Sequence, residues 1–266
     1  MNSSSVTRVK GFLLDLDGTL YLGDRLFEQT PAFIETLGRL GLPFVCLTNN
    51  SSANANDYLK KLNAMGVGVV AEQVMTSGDA TIHYLLSATE HRSAYVVGTE
   101  ALRRSFVEAG IVLDESDPDC LVLGYDTTVD YQKLCVATRL LFAEKPYYAT
   151  HPDKTCITEA GLLPDIAATI AGLQAVTGRS PMILGKPELA IVEAAAARIG
   201  VAKDDLAMVG DQLDTDMTMA KRHGLLGILL LSGETSAQRA KSDPLKPDLV
   251  LDGIGELAAL LDDAHP

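Results

Sequence analysis

The stretch "GFLLDLDGTLYLGD", residues 11–24, decides how the rest of the chain is interpreted. Its first four residues are glycine or apolar, which is typical of a strand buried in a parallel sheet. The run ends in two carboxylates, Asp15 and Asp17, directly before a Gly-Thr pair. Two close carboxylates repel each other unless a cation or a proton lies between them. We therefore expect Asp15 and Asp17 to serve chemistry rather than packing.

Short apolar runs alternate with amphipathic stretches on both sides of this segment. "PFVCLTNN", "LAMVGD" and "LGILLLSG" read as further strands. "TPAFIETLGRLG" reads as a helix, with Pro31 suited to its first turn and Gly41 to its end. Alternation of this kind predicts right-handed crossovers and a mainly parallel sheet covered on both faces. The predicted fold class is α/β.

The middle of the chain repeats the strand–helix pattern on its own, beginning with "SAYVVGT", "DCLVLGYD" and "PYYATHP". These residues are numerous enough for a small separate α/β domain. Turn-forming residues at 76–80 and 178–181 mark the joints. The sequence therefore predicts a core made of residues 1–78 and 182–266, with an inserted cap at 79–181.

Composition excludes several classes of protein. The 266 residues are 47% hydrophobic and carry a formal net charge of −13, without a cluster of Lys and Arg. Nucleic acid and anionic membranes are therefore not expected partners. We see no signal peptide and no membrane-spanning run. The cysteines show no Cys-x-x-Cys spacing and are expected to be reduced core thiols of a cytoplasmic protein; they are Cys46, Cys120, Cys135 and Cys156.

Four predicted core strands, including one in "PMILGK", end in reactive polar residues. In open α/β sheets the ligand site lies outside the carboxyl ends of the strands. Clustered oxygen ligands suit a hard cation, Mg²⁺ before Zn²⁺, which can share a phosphate with the protein. A carboxylate can act as nucleophile, and Lys and Thr can orient phosphoryl oxygens. The strand-end residues are Asp15, Asp17, Thr48, Asn49, Asn50, Lys186, Asp211, Asp214 and Asp216.

Each of these residues also has a simpler explanation. Thr48 can be an ordinary strand-end hydroxyl, and Lys186 can be a solvated lysine. Asp214 and Asp216 can belong to a helix start, where Asp is favoured, and for Asp214 we prefer that explanation. An EF-hand loop beginning at Asp15 is rejected, because it needs glycine where Leu20 stands.

Together, "DLDGT", "LTNNSS", "LGKP" and "VGDQLDTD" resemble, in order, the four motifs of the haloacid dehalogenase superfamily of phosphohydrolases. The insertion falls between the second and third motifs, as in the NagD-like (4-nitrophenylphosphatase-like) subfamily with its large α/β cap. "THPD" and "VTGRSPMILGKP" also resemble that subfamily. The resemblance implies a Rossmann-like core with a mainly parallel sheet and an inserted cap.

The resemblance also implies roles and a Mg²⁺ cofactor. Asp15 would be the nucleophile, and Asp17 would protonate the leaving alcohol and then deprotonate the attacking water. Mg²⁺ would be held by Asp15, by Asp211 and by the main-chain oxygen of Asp17, with Asp216 as an accessory acid. The residues implied to hold phosphoryl oxygens, or to offset their charge, are Thr48, Asn49, Asn50 and Lys186.

The cap departs from the family pattern at two positions. His151 stands where the family usually has Asn, and Asp165 stands where it usually has Gly after a proline. We expect the segment between them to face the catalytic aspartates and to contact the leaving group. Its carboxylates, Asp153, Glu159 and Asp165, would favour a leaving group with hydroxyl or amine donors. The simpler explanation is a structural histidine, a helix-capping Asp165 and carboxylates that point to solvent.

Three functions remain open from the sequence. The first is a Mg²⁺-dependent phosphatase acting on a small phosphomonoester such as a nucleotide or sugar phosphate. The second is a phosphotransferase with the same site and another acceptor, and the third is a non-catalytic phosphometabolite-binding protein. A dehalogenase is disfavoured, because C–halogen hydrolysis does not need Asp17 as a leaving-group acid. The expected partner is a small phosphate ester, and a homodimer is left open.

Overall fold

The computed structural model of the protein describes residues 3–158 and 161–265. Over these residues strands and helices alternate. Strands β1 to β15 are, in chain order, Gly11–Leu14, Tyr21–Leu22, Arg25–Leu26, Phe44–Thr48, Val74–Thr76, Ser93–Val97, Val112–Leu113, Cys120–Leu123, Tyr147–Ala149, Thr155–Thr158, Gly161–Pro164, Met182–Ile183, Leu206–Gly210, Leu226–Leu230 and Leu249–Leu251. Helices α1 to α10 are Thr30–Leu40, Ala55–Ala64, Ser77–Ala88, Glu100–Glu108, Tyr131–Phe142, Ile166–Thr177, Leu189–Ile199, Thr218–His223, Ala237–Ser242 and Ile254–Ala264.

The chain divides into two compact units by its internal contacts. Unit 1 comprises Met1–Thr48, Asn56–Met75 and Ala195–Pro266. Unit 2 comprises Asn49–Ala55 and Thr76–Ala194. The α/β class predicted from the sequence is confirmed, because both units are built on parallel sheets with helices.

Unit 1 contains a six-stranded sheet in the order β15-β14-β13-β1-β4-β5. Strand β1 lies between β13 and β4 and is parallel to both. Every residue of β1, β4, β13 and β14 is buried, which explains why these strands are continuous apolar runs rather than alternating ones. Helix α1 has Pro31 in its first turn and ends at Gly41 in the left-handed region (φ 64°), as predicted.

Unit 2 contains a five-stranded parallel sheet in the order β12-β9-β8-β6-β7. Alternate side chains of its strands enter two different apolar clusters. On one face Val97 and Leu121 pack with residues of α5 and α6. On the other face Val96 and Val122 pack with residues of α3 and α4. Unit 2 therefore has three layers, with helices covering both faces of the sheet.

Strand β12 corrects one expectation. We expected the strand in "PMILGK" to join the core sheet, but Met182–Ile183 pairs with β9 in the sheet of unit 2. Packing explains this placement, because Ile183 and Leu184 contact the two apolar clusters of unit 2. The functional domain boundaries suggested by the sequence, 1–78 with 182–266 and 79–181, stay a prediction.

A β-hairpin also lies within the segment between His151 and Asp165. Strands β10 and β11 pair antiparallel, with Thr155 opposite Pro164. All four residues of β11 are exposed. The hairpin was not predicted, because this stretch lacks the regular alternation of polar and buried apolar residues that marks most hairpins.

Candidate active site

Three carboxylates of unit 1 converge at the carboxyl end of its sheet. Asp15 follows β1, Asp211 follows β13, and Asp216 lies in the π-helical turn Leu213–Met217. Among the described residues, these three form a group whose carboxylate oxygens lie within 4.8 Å of one another. All three are buried, at 8%, 2% and 0% exposure respectively. The parallel strands β1 and β13 are adjacent, so their ends bring Asp15 and Asp211 to the same edge.

The donor set of this group fits a hard cation. It consists only of carboxylate oxygens, the ligands that Mg²⁺ and Ca²⁺ prefer, and contains no thiolate or imidazole. Three ionised carboxylates this close and this buried repel one another strongly in a low-dielectric interior. A divalent cation held between them would remove that repulsion.

The loop after β14 also contributes to the surroundings of Asp211. The main-chain N–H of Glu234 donates to Asp211 Oδ2 at 2.6 Å, and the Ser232 hydroxyl donates to the carbonyl oxygen of Gly18 at 2.7 Å. A Cβ on Gly233 would lie 2.0 Å from Asp211 Oδ2. We did not predict this loop as part of the site. The signal was present, because "LSGET" follows a buried strand at the same edge of the sheet.

Gly18 and Gly210 explain why glycines flank the acidic residues. Gly18 has a φ of +82°, and a Cβ there would lie 2.3 Å from Asp211 Oδ2. A Cβ on Gly210 would lie 2.2 Å from Asp216 Oδ2. Both glycines therefore leave the space that the carboxylates occupy. Gly18, the glycine of "DLDGT", therefore both adopts a positive φ and leaves room for the Asp211 carboxylate.

Asp17 lies apart from the three-carboxylate group. Its side chain is solvent-accessible, but the protein covers one side of the carboxyl and partial desolvation raises its pKa. The N–H of Gly23 and the ammonium of Lys61 oppose that shift. The Gly23 N–H lies 3.4 Å from Asp17 Oδ1. An acid with a raised pKa can release or accept a proton closer to neutral pH than an ordinary aspartate.

Thr48 and Thr19 are the hydroxyl-bearing side chains at the ends of these strands. Thr48 is the last residue of β4 and is buried. Thr19 donates to Asp15 Oδ2 at 3.5 Å, the long limit of a hydrogen bond. The predicted role of Thr48 in holding phosphoryl oxygens stays a prediction.

In unit 2, Asn49 joins Lys186 to Asp153. The Lys186 N–H donates to Asn49 Oδ1 at 2.8 Å, and Asn49 Nδ2 donates to the Lys186 carbonyl oxygen at 3.0 Å. Asn49 Nδ2 also lies 3.2 Å from each carboxylate oxygen of Asp153. Burial raises the pKa of Asp153, while His151, the Asn49 hydrogen bond and Lys186 oppose the shift. The neighbouring Asn50 accepts from the N–H and hydroxyl of Ser52 within its own loop.

The two positions that depart from the family pattern are partners of each other. His151 Nε2 lies 3.1 Å from Asp165 Oδ1, and both residues are buried. His151 Nδ1 lies 2.9 Å from the Thr150 hydroxyl, which contacts the Ser51 hydroxyl at 2.9 Å. Asp165 is also the N-cap of α6, as its simpler explanation predicted. The structure thus places His151 and Asp165 in one buried hydrogen-bonded chain, and their contact with a leaving group stays a prediction.

The remaining acidic and cysteine predictions have mixed outcomes. Asp214 is exposed and pairs with Arg239 at 2.7 Å, in agreement with its structural explanation. Glu159 lies outside the described residues.

Cys46 and Cys120 are buried, but Cys135 is exposed on α5, so its prediction as a core thiol is wrong. Helix α5 turns its apolar side to the sheet, and Cys135 lies on the other side.

Two family models match the chain, one in its N-terminal part and one in its C-terminal part. Residues 12–112 match the model described as a haloacid dehalogenase-like hydrolase, and residues 183–257 match the model described as HAD-hydrolase-like. An acid sugar phosphatase of Staphylococcus haemolyticus is 34% identical over 90% of this chain and 91% of its own. The chain belongs to the haloacid dehalogenase-like hydrolases. It is a phosphatase of the NagD-like type, as the four motifs together with the position of the insertion predicted.

Solved structures agree with this assignment for the HAD-like chain. The 4-nitrophenylphosphatase of Thermotoga maritima is 40% identical and superposes with a TM-score of 0.93 over 97% of this chain and 99% of its own. A glycerol phosphate phosphatase of Mycobacterium tuberculosis, solved in complex with calcium, is 29% identical with a TM-score of 0.86. That match covers 95% of this chain and 75% of the mycobacterial protein. Within the described part of the HAD-like chain, no helix combines the length and apolar composition needed to cross a bilayer.

Proposed function

We propose that this HAD-like phosphatase is Mg²⁺-dependent and hydrolyses a small phosphomonoester through an aspartyl-phosphate on Asp15. The observation that carries the proposal is the grouping of Asp15, Asp211 and Asp216, with their carboxylate oxygens within 4.8 Å of one another. A buried all-oxygen donor set beside a strand-end aspartate supports both a hard cation and a carboxylate nucleophile.

In this proposal Asp15 and Asp17 divide the chemistry between them. Asp15 attacks the phosphorus, and the bond from phosphorus to the leaving oxygen breaks. Asp17 gives its proton to that oxygen, and afterwards takes a proton from the water that attacks the phosphorus of the aspartyl-phosphate. The bond from phosphorus to the Asp15 carboxylate then breaks, and inorganic phosphate leaves. The raised pKa of Asp17 supports this role, because a general acid must hold its proton at the working pH.

Charge on the phosphoryl group is offset by hydrogen-bond donors and by the cation. Thr48, Lys186 and the backbone around Asn49 and Asn50 hold the phosphoryl oxygens in the proposal. The cation ligands are the carboxylates of Asp15 and Asp211 and the main-chain oxygen of Asp17, with Asp216 as accessory acid. Mg²⁺ bound there would neutralise negative charge and orient the phosphate.

The substrate class follows from the relatives and from the cap residues. The relatives named above act on a sugar phosphate, on 4-nitrophenyl phosphate and on glycerol phosphate. We propose a phosphomonoester whose leaving group carries hydroxyl or amine donors, because Asp153 and Asp165 add negative charge to unit 2 and the whole chain carries −13. His151 and Asp165 are the proposed determinants of that preference.

A steady-state phosphate-release assay on a substrate panel tests the proposal. The panel contains sugar phosphates, glycerol phosphate, nucleotides, phosphoglycolate and pyridoxal phosphate. The proposal predicts Mg²⁺-dependent release and faster turnover of esters with uncharged, hydroxyl-rich leaving groups. Release of the alcohol without stoichiometric phosphate, when sugar or alcohol acceptors are added, would instead indicate phosphotransfer. Binding without turnover of any ester would indicate a phosphometabolite-binding protein.

A further inference from the structure

We infer that Asn49 is a positioning residue for Lys186 and acts through the backbone of that lysine. The inference rests on the proposed function, in which Lys186 offsets charge on the phosphoryl group. It assigns the Asn49 side chain a task different from substrate binding. The backbone around Asn49 keeps the phosphate-binding role proposed above.

The Asn49 side chain holds both backbone groups of one residue. Asn49 Oδ1 accepts from the Lys186 N–H at 2.8 Å, and Asn49 Nδ2 donates to the Lys186 carbonyl oxygen at 3.0 Å. Two hydrogen bonds to the same residue fix the direction of the backbone at Lys186, and therefore the direction in which its side chain leaves. Asn49 is 6% exposed and Lys186 is 3% exposed, so water competes little for these bonds.

Asp153 makes the orientation of the Asn49 amide unambiguous. Asn49 Nδ2 lies 3.2 Å from both Asp153 carboxylate oxygens as well as 3.0 Å from the Lys186 carbonyl oxygen. The flipped amide would place its oxygen against three acceptors and its NH₂ group against the Lys186 N–H. Each of those contacts would be repulsive. The orientation of the amide is therefore specified by its contacts with Lys186 and Asp153.

Asn49 is also held through its own main chain. The Ser77 hydroxyl donates to the Asn49 carbonyl oxygen. Gly185 lets the lysine backbone approach, because a Cβ there would lie 2.7 Å from Asn49 Oδ1 and 2.2 Å from the Thr150 carbonyl oxygen. A residue whose main chain and side chain are both hydrogen-bonded can transmit its position to Lys186. Misplacement of a catalytic group by about 1 Å can cost on the order of 100-fold in rate.

Asn63 offers a matched control in unit 1. Its Nδ2 donates to the Val69 carbonyl oxygen at 3.0 Å, and the Val69 N–H donates to its Oδ1 at 3.1 Å. The side chain of Asn63 thus makes the same two-point contact with a backbone. Neither Asn63 nor Val69 belongs to the proposed site. Asn63 is exposed, so Asn63→Ala removes the same type of hydrogen-bond pair from a more solvated position and does not touch Lys186.

The test is a double-mutant cycle of Asn49→Ala and Lys186→Ala, assayed with 4-nitrophenyl phosphate and Mg²⁺. We expect Asn49→Ala to lower kcat/KM by roughly 10- to 100-fold in the wild-type background. In the Lys186→Ala background the same change should cost less than about 3-fold, because the group that it positions is gone. Asn63→Ala should lower the Tm and leave kcat/KM unchanged.

Additive losses would overturn the inference, because Asn49 would then act independently of Lys186. If Lys186→Ala keeps wild-type kcat/KM, the role of Lys186 in the proposed function fails and the inference falls with it. A slow Lys186→Ala with additive Asn49→Ala overturns only the inference. If Asn49→Ala does not fold, Asn49→Asp takes its place in the cycle. That variant keeps the acceptor for the Lys186 N–H but turns a carboxylate oxygen toward the Lys186 carbonyl and Asp153, so the same non-additive loss is expected.

Discussion

Both units hold a group of buried polar side chains, but the two groups differ in how their charges are balanced. In unit 1, Asp15, Asp211 and Asp216 bring three acids within 4.8 Å of one another. In unit 2, Asp165 lies beside the His151 ring and Asp153 lies beside the Asn49 side-chain amide. A divalent cation would lower the mutual repulsion of the three clustered acids of unit 1, which also accept hydrogen bonds such as that from the Glu234 N–H to Asp211. The two acids of unit 2 are instead paired one by one with nitrogen groups. The difference suggests chemistry in unit 1 and positioning and selectivity in unit 2.

Asp15→Asn would remove the nucleophile and one cation ligand from unit 1 while keeping the shape of the side chain. We expect kcat to fall by about 10⁴-fold or more, since removal of a nucleophile leaves only binding and electrostatic effects. Steady-state phosphate release under saturating substrate measures the change. Near wild-type kcat in Asp15→Asn would mean that another group attacks the phosphorus.

Removal of divalent cations should affect unit 1 almost as strongly. Exhaustive EDTA treatment should reduce turnover to background, and added Mg²⁺ should restore it, because the donor set contains only carboxylate oxygens. Asp211→Asn should raise the Mg²⁺ concentration needed for half-maximal activity. Full activity after chelation would rule out the cation, and recovery with Zn²⁺ but not Mg²⁺ would indicate softer ligands.

Gly233→Ala tests whether the close packing around Asp211 matters. The new Cβ would lie 2.0 Å from Asp211 Oδ2, so the carboxylate or the loop must move. We expect kcat/KM to fall by roughly 10- to 100-fold, with a weaker apparent affinity for Mg²⁺. Gly38→Ala on α1 is the control, because a Cβ there meets nothing within 4 Å. It should keep full activity and gain a little stability. Equal activity in both variants would show that Asp211 tolerates displacement.

The sequence predicted the unit 1 group well, because each of its acids follows an apolar run or a short motif. Asp15 and Asp211 end strands that are recognisable by their composition alone. Glu234 and Gly233 were missed although their position after a buried strand was visible in the sequence, because they act through a main-chain N–H and through the absence of a Cβ rather than through a reactive side chain. The pairing of β12 with β9 was also missed, because the strands of the two sheets are similar apolar runs and a short segment such as Met182–Ile183 has no sequence feature that favours one sheet over the other. Only tertiary packing of Ile183 and Leu184 decides between the two sheets.

The contact between His151 and Asp165 was also not predicted from the sequence. The sequence marked both positions as unusual, but they are fourteen residues apart and nothing in the pattern pairs them. The fold brings them together across the segment that contains the hairpin β10–β11, where His151 Nε2 lies 3.1 Å from Asp165 Oδ1.

His151→Ala and Asp165→Ala sharpen the comparison by asking whether unit 2 sets selectivity. Each change leaves the other buried residue without its hydrogen-bond partner, which costs about 1–3 kcal/mol of stability. On the best natural ester we expect kcat/KM to fall several-fold more than on 4-nitrophenyl phosphate. His151→Asn, which restores the residue usual in the family, separates packing from hydrogen bonding. Equal losses on both esters, or none, would place selectivity outside this pair.

The smallest expected effect concerns the stability of unit 2 and Asp153. Burial raises the pKa of Asp153, so the folded protein holds the ionised carboxyl less favourably than water does. Asp153→Asn replaces it with a neutral group of the same shape, whose oxygen can still accept from Asn49. We expect the variant to have a slightly higher Tm at neutral pH, together with a modest loss of kcat/KM.

The pH dependence of that Tm difference identifies its cause. Between the usual Asp pKa of 3.8 and the raised value in the fold, the folded wild type binds more protons than the unfolded chain. Its stability therefore falls as pH rises through that window, while Asp153→Asn has no such group. The Tm advantage of the variant should be small near about pH 4 and larger near about pH 7. Asp204→Asn removes the same unit of charge from an exposed side chain (85% exposed) and controls for net charge. A lower Tm for Asp153→Asn at both pH values would mean that the two hydrogen bonds to Asn49 outweigh the desolvation of the carboxylate.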